Sequence, residues 1–414
     1  MDLKTRLHTL REQAGAAAPG TRAGKPDGEK SPSSAGLQQR LARMRAAGAP
    51  VRQPGVGGAD PAALAAELGA EQVAPGVLCI DQDQGLGEFH GAVALPDPGS
   101  RVRVPGLPDV SLGELAFVDT EASGLAGGTG TLAFNVGLVR WHDGRWCTRQ
   151  YLLTGFAGEA AMLTALADDL REPGGLVTYN GSSFDLPLLR DRYRLNAWRE
   201  APLPGQHLDL LHPLRRLYRR QWPDCRLATA EARLLGLRRT DDLPGSQVPT
   251  VWFDWIHRGE GRRMADVLRH NRLDVRSLLA LISLLAGVVR EPESLGADPL
   301  GAARIWCRHG HEERALHILD AANELSGPGL LELARLWRRV GRIDDAVAIW
   351  ERLASEGCPH SLEQLAKFHE HVRGDLRTAL ALTERLPAGD ATERRRTRLR
   401  RRQKADQDGC GSTR

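Results

Sequence analysis

This chain has neither disulfide-framework nor metal-finger cysteine spacing. Its six cysteines, Cys79, Cys147, Cys225, Cys307, Cys358 and Cys410, are scattered and form no Cys-x-x-Cys pair. That excludes finger-type zinc sites and leaves reduced, mostly structural thiols of the kind expected in the cytosol. No stretch approaches the ~18 uninterrupted apolar residues of a membrane helix. The amino-terminal Met-Asp-Leu-Lys-Thr-Arg-Leu has no apolar signal core. A soluble, cytoplasmic protein with no membrane partner is therefore expected. The glycine-rich stretch from Gly124 to Gly130 is followed by no Gly-Lys-Ser/Thr and matches no dinucleotide fingerprint, which excludes a P-loop or Rossmann site there. Net charge is only +4, too small to mark a nucleic-acid binder by itself, so the distribution of charge carries more information than its sum.

What is present divides the 414 residues into five segments. Residues 1–58 are rich in Ala, Gly, Pro, Ser and basic residues and are expected to form a disordered basic tail. Residues 59–110 form an amino-terminal extension, with a helix over Pro61 to Leu68 stopped by Gly69, then short apolar runs broken by Gly and Pro. Residues 111–292 are the chemical core. There, Leu115 to Glu121, Thr131 to Trp141 and Arg145 to Leu153 read as three consecutive strands. A helix (Ala157 to Arg171), a strand (Leu176 to Tyr179), a second helix ending near Trp198 and a strand from His207 follow. That order describes an α/β domain with a mixed sheet flanked by helices.

Residues 299–387 are purely helical in pattern. Gly310 with Ala315, Gly341 with Ala346 and Gly374 with Ala379 share a five-residue offset and recur at 31 and 33 residues. Single hairpins of this kind cannot bury their apolar faces, so stacking is required. The units resemble tetratricopeptide repeats. Residues 388–414, with the run Arg394 to Arg402, are expected to be a second disordered basic tail.

Chemistry concentrates in three places. Asp119 and Glu121 end an apolar run, and side chains two apart on a strand share a face. Two acids held side by side are costly unless a cation lies between them. A third acid, Asp185, follows a strand that breaks at Asn180-Gly181, and sits where a helix begins. The fourth, Asp274, lies four residues after His270 in a long helix from about Arg262 to Val289, so both share a helical face.

These three motifs, in this order over about 160 residues, resemble the DEDD superfamily of 3′–5′ exonucleases, with a ribonuclease H-like domain followed by tetratricopeptide-like helices. The resemblance covers roughly residues 75–385. It implies that Asp119, Glu121, Asp185 and Asp274 ligate two Mg²⁺ or Mn²⁺ ions, ions that favour hard oxygen donors, and that His270 orients or deprotonates water. His270 departs from the superfamily in one respect: it stands four residues before the final aspartate, the spacing of the tyrosine-containing branch.

Candidate nucleic-acid contacts are Gly124 and Leu125 in the glycine-rich loop, Asn180 and Phe184 beside the third acid, and Arg215, Arg216, Arg219 and Arg220, interleaved with Tyr218 and Trp222. Asp209, in His207-Leu-Asp209-Leu, is expected to support the site rather than ligate. The expected function is hydrolysis of phosphodiester bonds at single-stranded ends, with a protein partner or an extended nucleic-acid path on the helical repeats. An alternative is a non-cleaving nucleic-acid-binding adaptor, and endonuclease action is a third possibility.

Overall fold

The computed structural model describes residues 60–85, 87–102, 104–105, 110–124 and 130–410. The tail expected over residues 1–58 lies outside the described residues, as do Leu125 and the glycines at 127 and 128.

A short helix α1 (Pro61–Leu68), capped by the Asp60 side chain and ended by Gly69 in the left-handed conformation, leads into the sheet. The sheet strands are β1 (Glu71–Ala74), β2 (Val77–Gln84), β3 (Leu115–Ala122), β4 (Ala133–His142), β5 (Arg145–Leu153), β6 (Gly175–Thr178) and β7 (His207–Asp209). They form one seven-stranded sheet in the order β1-β2-β5-β4-β3-β6-β7. From β1 to β3 all pairings are antiparallel, and β3-β6 and β6-β7 are parallel. The mixed sheet expected from the element order is what forms. β6 is buried at every position, as a parallel strand covered on both faces should be.

Helices cover both faces. They are α2 (Glu159–Leu170), α3 (Asp185–Leu195), α4 (Leu211–Tyr218), α5 (Val248–Arg258) and the 25-residue α6 (Met264–Val288). Alternation along β3 divides the core. Leu115 and Phe117 pack with Val275, Leu278 and Ile282 of α6, whereas Ala116 and Val118 pack with Leu163 and Leu166 of α2. Asp119 and Glu121 continue the α6-facing series at the end of β3, so the apolar pattern that seats the long helix also aims two carboxylates at it.

Beyond the core lie α7 (Pro299–Arg308), α8 (Glu312–Asp320), α9 (Gly327–Arg339), α10 (Ile343–Ser355), α11 (Pro359–Phe368) and α12 (Leu376–Glu384). Each packs on its chain neighbour. Trp306, Trp337 and Phe368 recur every 31 residues. The basic side chain five positions later covers each ring: His311 lies edge-on at 5.5 Å, Arg342 at 4.6 Å and Arg373 at 5.4 Å. The two-residue excess in the glycine spacing falls in the wide π-helical turn His369–Arg373 just before Gly374.

One expectation is corrected here. The segment anticipated as a disordered tail is helical over Asp390–Cys410, α13. Leu399 is fully buried against α12 residues Leu376 and Ala379. Arg398 and Arg402 both reach the buried carboxylate of Glu370, and Arg400 pairs with Glu384. The arginine run repels itself only while unpartnered. Acids on the preceding helices supply the missing charge.

Candidate active site

Strand geometry delivers Asp119 and Glu121 to one face, and a cavity of about 360 Å³ opens over them. Asp119, Thr120, Glu121, Gly124, Tyr179, Asn180, Phe184 and Asp185 all contribute to its wall. Asp185 is the first residue of α3. Its Oδ1 accepts from the backbone N–H (3.0 Å) and the hydroxyl (2.5 Å) of Thr120, the residue between the two strand acids. The third acid is thereby latched to the strand that carries the first two.

The turn before α3 is built from β7. Asn180 adopts φ 64°, a left-handed conformation that asparagine tolerates better than most residues. Asp209 accepts from the backbone N–H groups of Asn180 (2.6 Å), Ser182 (3.1 Å) and Leu211 (3.1 Å). Its carboxylate is occupied with holding the turn, which agrees with a supporting role.

From the other side comes α6. Glu121, His270 and Asp274 place one ligand atom each within 4.8 Å of one another. Asn271, between the two α6 residues, donates to Oδ2 of Asp119 at 3.0 Å and to its backbone carbonyl at 3.2 Å. Asn271 can reach the sheet because the residue opposite Asp119 on β4 is Gly137. A Cβ at Gly137 would stand 2.0 Å from Oδ1 of Asn271, and that oxygen is held by Nε2 of Gln150 at 2.9 Å. We therefore expect Gly137→Ala to destabilise the protein by about 1–3 kcal/mol, an overpacking cost, while Gly130→Ala, with open space around it, changes little. Thermal unfolding of the two variants checks this, and equal melting temperatures would count against the seating of α6 on β4.

Sequence reading missed the cation at this site. Arg239 enters from the loop after the short helical segment Glu231–Leu235 and grips the buried Glu231 with two hydrogen bonds. The same guanidinium contacts Asp274, Asp242 at 3.1 Å and His270 Nδ1 at 3.4 Å. His270 Nδ1 lies 2.8 Å from Asp242, and its Nε2 lies 3.7 Å from Asp274. Burial disfavours the charge on Arg239, but Asp274 and Glu231 outweigh it and hold the guanidinium protonated. Behind this group, Ser277 donates to Glu231 and bonds His90 at 2.7 Å. Burial pushes the His90 imidazole down to about 4, so it stays neutral. Nothing in the loop sequence around Arg239 marks it, because Glu231 and Asp274 lie 8 and 35 residues away on other elements and Asp242, three residues on, gives no signal by itself.

The electrostatics are those of a site short of positive charge. Desolvation, then Asp274, Asp185 and Glu121, hold the Asp119 carboxyl well above its usual range. Desolvation, then Asp274 and Asp185, do the same to Glu121. Burial pushes Asp185 up to about 6 against the stabilising Thr120 bonds. None of these three carboxylates forms an ion pair among the described residues. Directly opposite Glu121, the buried Asn135 of β4 has partners for neither amide atom. Repelling carboxylates beside an unpartnered buried amide fit a hydrated divalent cation.

The remaining candidates divide. Asn180 and Phe184 line the cavity, Phe184 with 54% of its surface exposed. Arg215, Arg216, Arg219 and Arg220 do not line it. They lie in the last turn of α4 and just beyond, where Gly301 of α7 approaches so closely that a Cβ would stand 2.1 Å from the Arg216 carbonyl oxygen. Arg216 there is partly desolvated beside Arg308, which disfavours its charge.

The family comparison agrees with the fold. A family described as the RNase H superfamily matches residues 116–286. The uncharacterized protein YprB of Bacillus subtilis (strain 168) is 32% identical over 282 residues, covering 65% of this chain and 68% of YprB. Among solved structures, the family B DNA polymerase of the archaeon Pyrobaculum calidifontis aligns with a TM-score of 0.36 and 14% identity, covering 55% of this chain and 29% of the polymerase.

Proposed function

The chain belongs to the RNase H superfamily, and from that premise we propose that it is a metal-dependent nuclease acting as a 3′–5′ exonuclease on single-stranded ends. The observation that carries this reading is the convergence of Asp119, Glu121 and Asp185, from β3 and α3, on one cavity, with Asp274 of α6 close beside Glu121. In it, Asp119, Glu121, Asp185 and Asp274 hold two Mg²⁺ or Mn²⁺ ions. Such ions supply a nucleophilic water at neutral pH and positive charge for the phosphate and leaving oxygen.

The protein's own residues do the rest. Asn271 orients Asp119, Thr120 fixes Asp185, and Arg239 pairs with Asp274 of α6. His270, steered by the Asp242 bond at Nδ1, presents Nε2 toward Asp274 as the site for a proton taken from water. Phe184 offers an exposed ring at the cavity mouth on which a terminal base stacks. A cavity of about 360 Å³ suits one splayed nucleotide, which favours free ends over paired interior sites. The helical repeats α7–α12, tetratricopeptide-like in their period, hold a protein partner. No helix among the described residues is long and apolar enough to cross a membrane.

The test is product analysis. Single-stranded DNA and RNA oligonucleotides, labelled at either end, are incubated with Mn²⁺ or with a chelator. Mononucleotides released from 3′-labelled strands, and a shortening ladder from 5′-labelled ones, are expected only with metal. Absence of any metal-dependent cleavage of either polymer defeats the proposal, and internal cuts would replace exonuclease with endonuclease action.

A further inference from the structure

The far end of α3 carries a second cavity, larger than the first at about 590 Å³. Arg190, Arg194, Trp198, Arg199 and Glu200 line it, together with the loop that returns to β7. Arg190 and Arg194 are one turn apart and project from the same side of the helix. Three guanidinium groups thus face a single carboxylate. Among the described residues, no ion pair engages Arg190 or Arg199, and Arg194 touches only Asp191, at 3.5 Å. Arg149, Arg192 and Arg239, by contrast, are all engaged by carboxylates.

A helix carboxy terminus favours cations and accounts in part for Arg194. It does not account for Arg199, which stands beyond the helix end. Arg199 is brought there by a tight turn in which Ala197 takes φ 63° and the Trp198 N–H bonds the Tyr193 carbonyl at 3.0 Å. That conformation is unfavourable for a side-chain-bearing residue and is normally left to glycine. The Trp198 ring, edge-on to Tyr193 at 5.3 Å, locks the turn.

From Asp185 to Arg194 the helix rises roughly 14 Å, the span of a few nucleotides. Asp191, the contact of Arg194, also lines the first cavity. We propose that this arginine cavity is a second nucleic-acid subsite, binding the phosphodiester backbone of a single strand whose terminal nucleotide sits over Asp119. The inference rests on the nuclease reading and gives it a substrate property: strands long enough to reach Arg190 and Arg199 bind more tightly than strands that are not.

Fluorescence anisotropy of the full-length chain tests it, with Mn²⁺ and phosphorothioate-linked thymidine oligonucleotides of 3 and 12 nucleotides, which resist hydrolysis. Wild type should bind the 12-mer more tightly than the 3-mer. Arg190→Ala/Arg199→Ala should lose about tenfold in 12-mer affinity, and its salt dependence should flatten by about 1.4 in log-log slope, roughly 0.7 for each phosphate contact removed from a single strand. Arg190→Lys/Arg199→Lys should keep most of the slope, since charge carries the contact. Equal affinity and slope for the Ala/Ala variant and wild type would overturn the subsite while leaving the nuclease reading intact. Binding of neither oligonucleotide by wild type would overturn both. Strand-independent binding of a polyglutamate peptide, lost in the Ala/Ala variant, would reassign the cavity to an acidic protein segment and overturn the proposal.

Discussion

Asp119→Asn should lower phosphodiester hydrolysis by roughly a thousandfold or more, because one preorganised electrostatic contribution to a transition state is worth about 10²–10³ in rate and, in the proposed mechanism, Asp119 would contribute through the ions it would hold. The substitution keeps the shape of the side chain, and its amide oxygen can still accept from Asn271. The same variant should be more stable than wild type in the absence of divalent ions. The reason lies in the sign of the carboxylate shifts. Asp119, Glu121 and Asp185 are all raised in the folded state, by burial first and then, for the two strand acids, by the charges of Asp274 and Asp185. A raised acid contributes stability that is fully present below its unfolded value, near 4, and is lost as pH rises through its folded value.

For Asp185 that loss begins near pH 4 and is complete once pH passes about 6. Metal-free wild type should therefore melt at lower temperature at pH 8 than at pH 5, as far as these groups are concerned. Asp119→Asn removes one repelling charge and should shrink the difference. Mn²⁺ at a hundred times its dissociation constant should return about 2.7 kcal/mol to wild type at pH 8, and less to the variant. Thermal melts at two pH values, with and without Mn²⁺, measure all four quantities. A wild type equally stable at both pH values and indifferent to Mn²⁺ would contradict the charge-starved site.

The second large effect is expected at Arg239. Its guanidinium is 9% exposed and faces a Glu231 carboxylate that is fully buried, with Asp274 and Asp242 alongside. Arg239→Ala strands these charges, and removing one partner of a buried ion pair costs about 3–5 kcal/mol. Glu231→Gln in the same chain removes the worst of the unpaired charge, so the double variant should be less destabilised than the sum of the single changes. Urea unfolding of the two single variants and the double variant supplies the cycle. Simple additivity would mean that Arg239 and Glu231 do not act as a unit. Because Arg239 also holds Asp274, Arg239→Ala should weaken Mn²⁺ binding, read by titration in the absence of substrate.

Much of this architecture is legible from local periodicity. The order of strands and helices follows from apolar alternation and helical stripes, and the bounds expected for β3 and β5 agree with the structure to within a residue. That Asp119 and Glu121 share a face, and that His270 and Asp274 share another, are consequences of the two repeat lengths of regular backbone. Where reasoning from local pattern erred, the cause is a partner elsewhere. The Arg394 to Arg402 run looks self-repelling in isolation, yet α13 forms because Glu370 and Glu384 lie beneath it.

By itself, then, the sequence determined the mixed sheet, the helices beyond it and the shared faces of Asp119 with Glu121 and of His270 with Asp274, since each depends on neighbours a few positions away. Only tertiary structure decided that Asn271 reaches Asp119 across 152 positions through the gap left by Gly137. It alone also placed Arg239 among Glu231, Asp242 and Asp274, and gathered three guanidiniums around one cavity at the end of α3. Such meetings depend on how helices settle on the sheet, and no local spacing encodes a distance across a packed core.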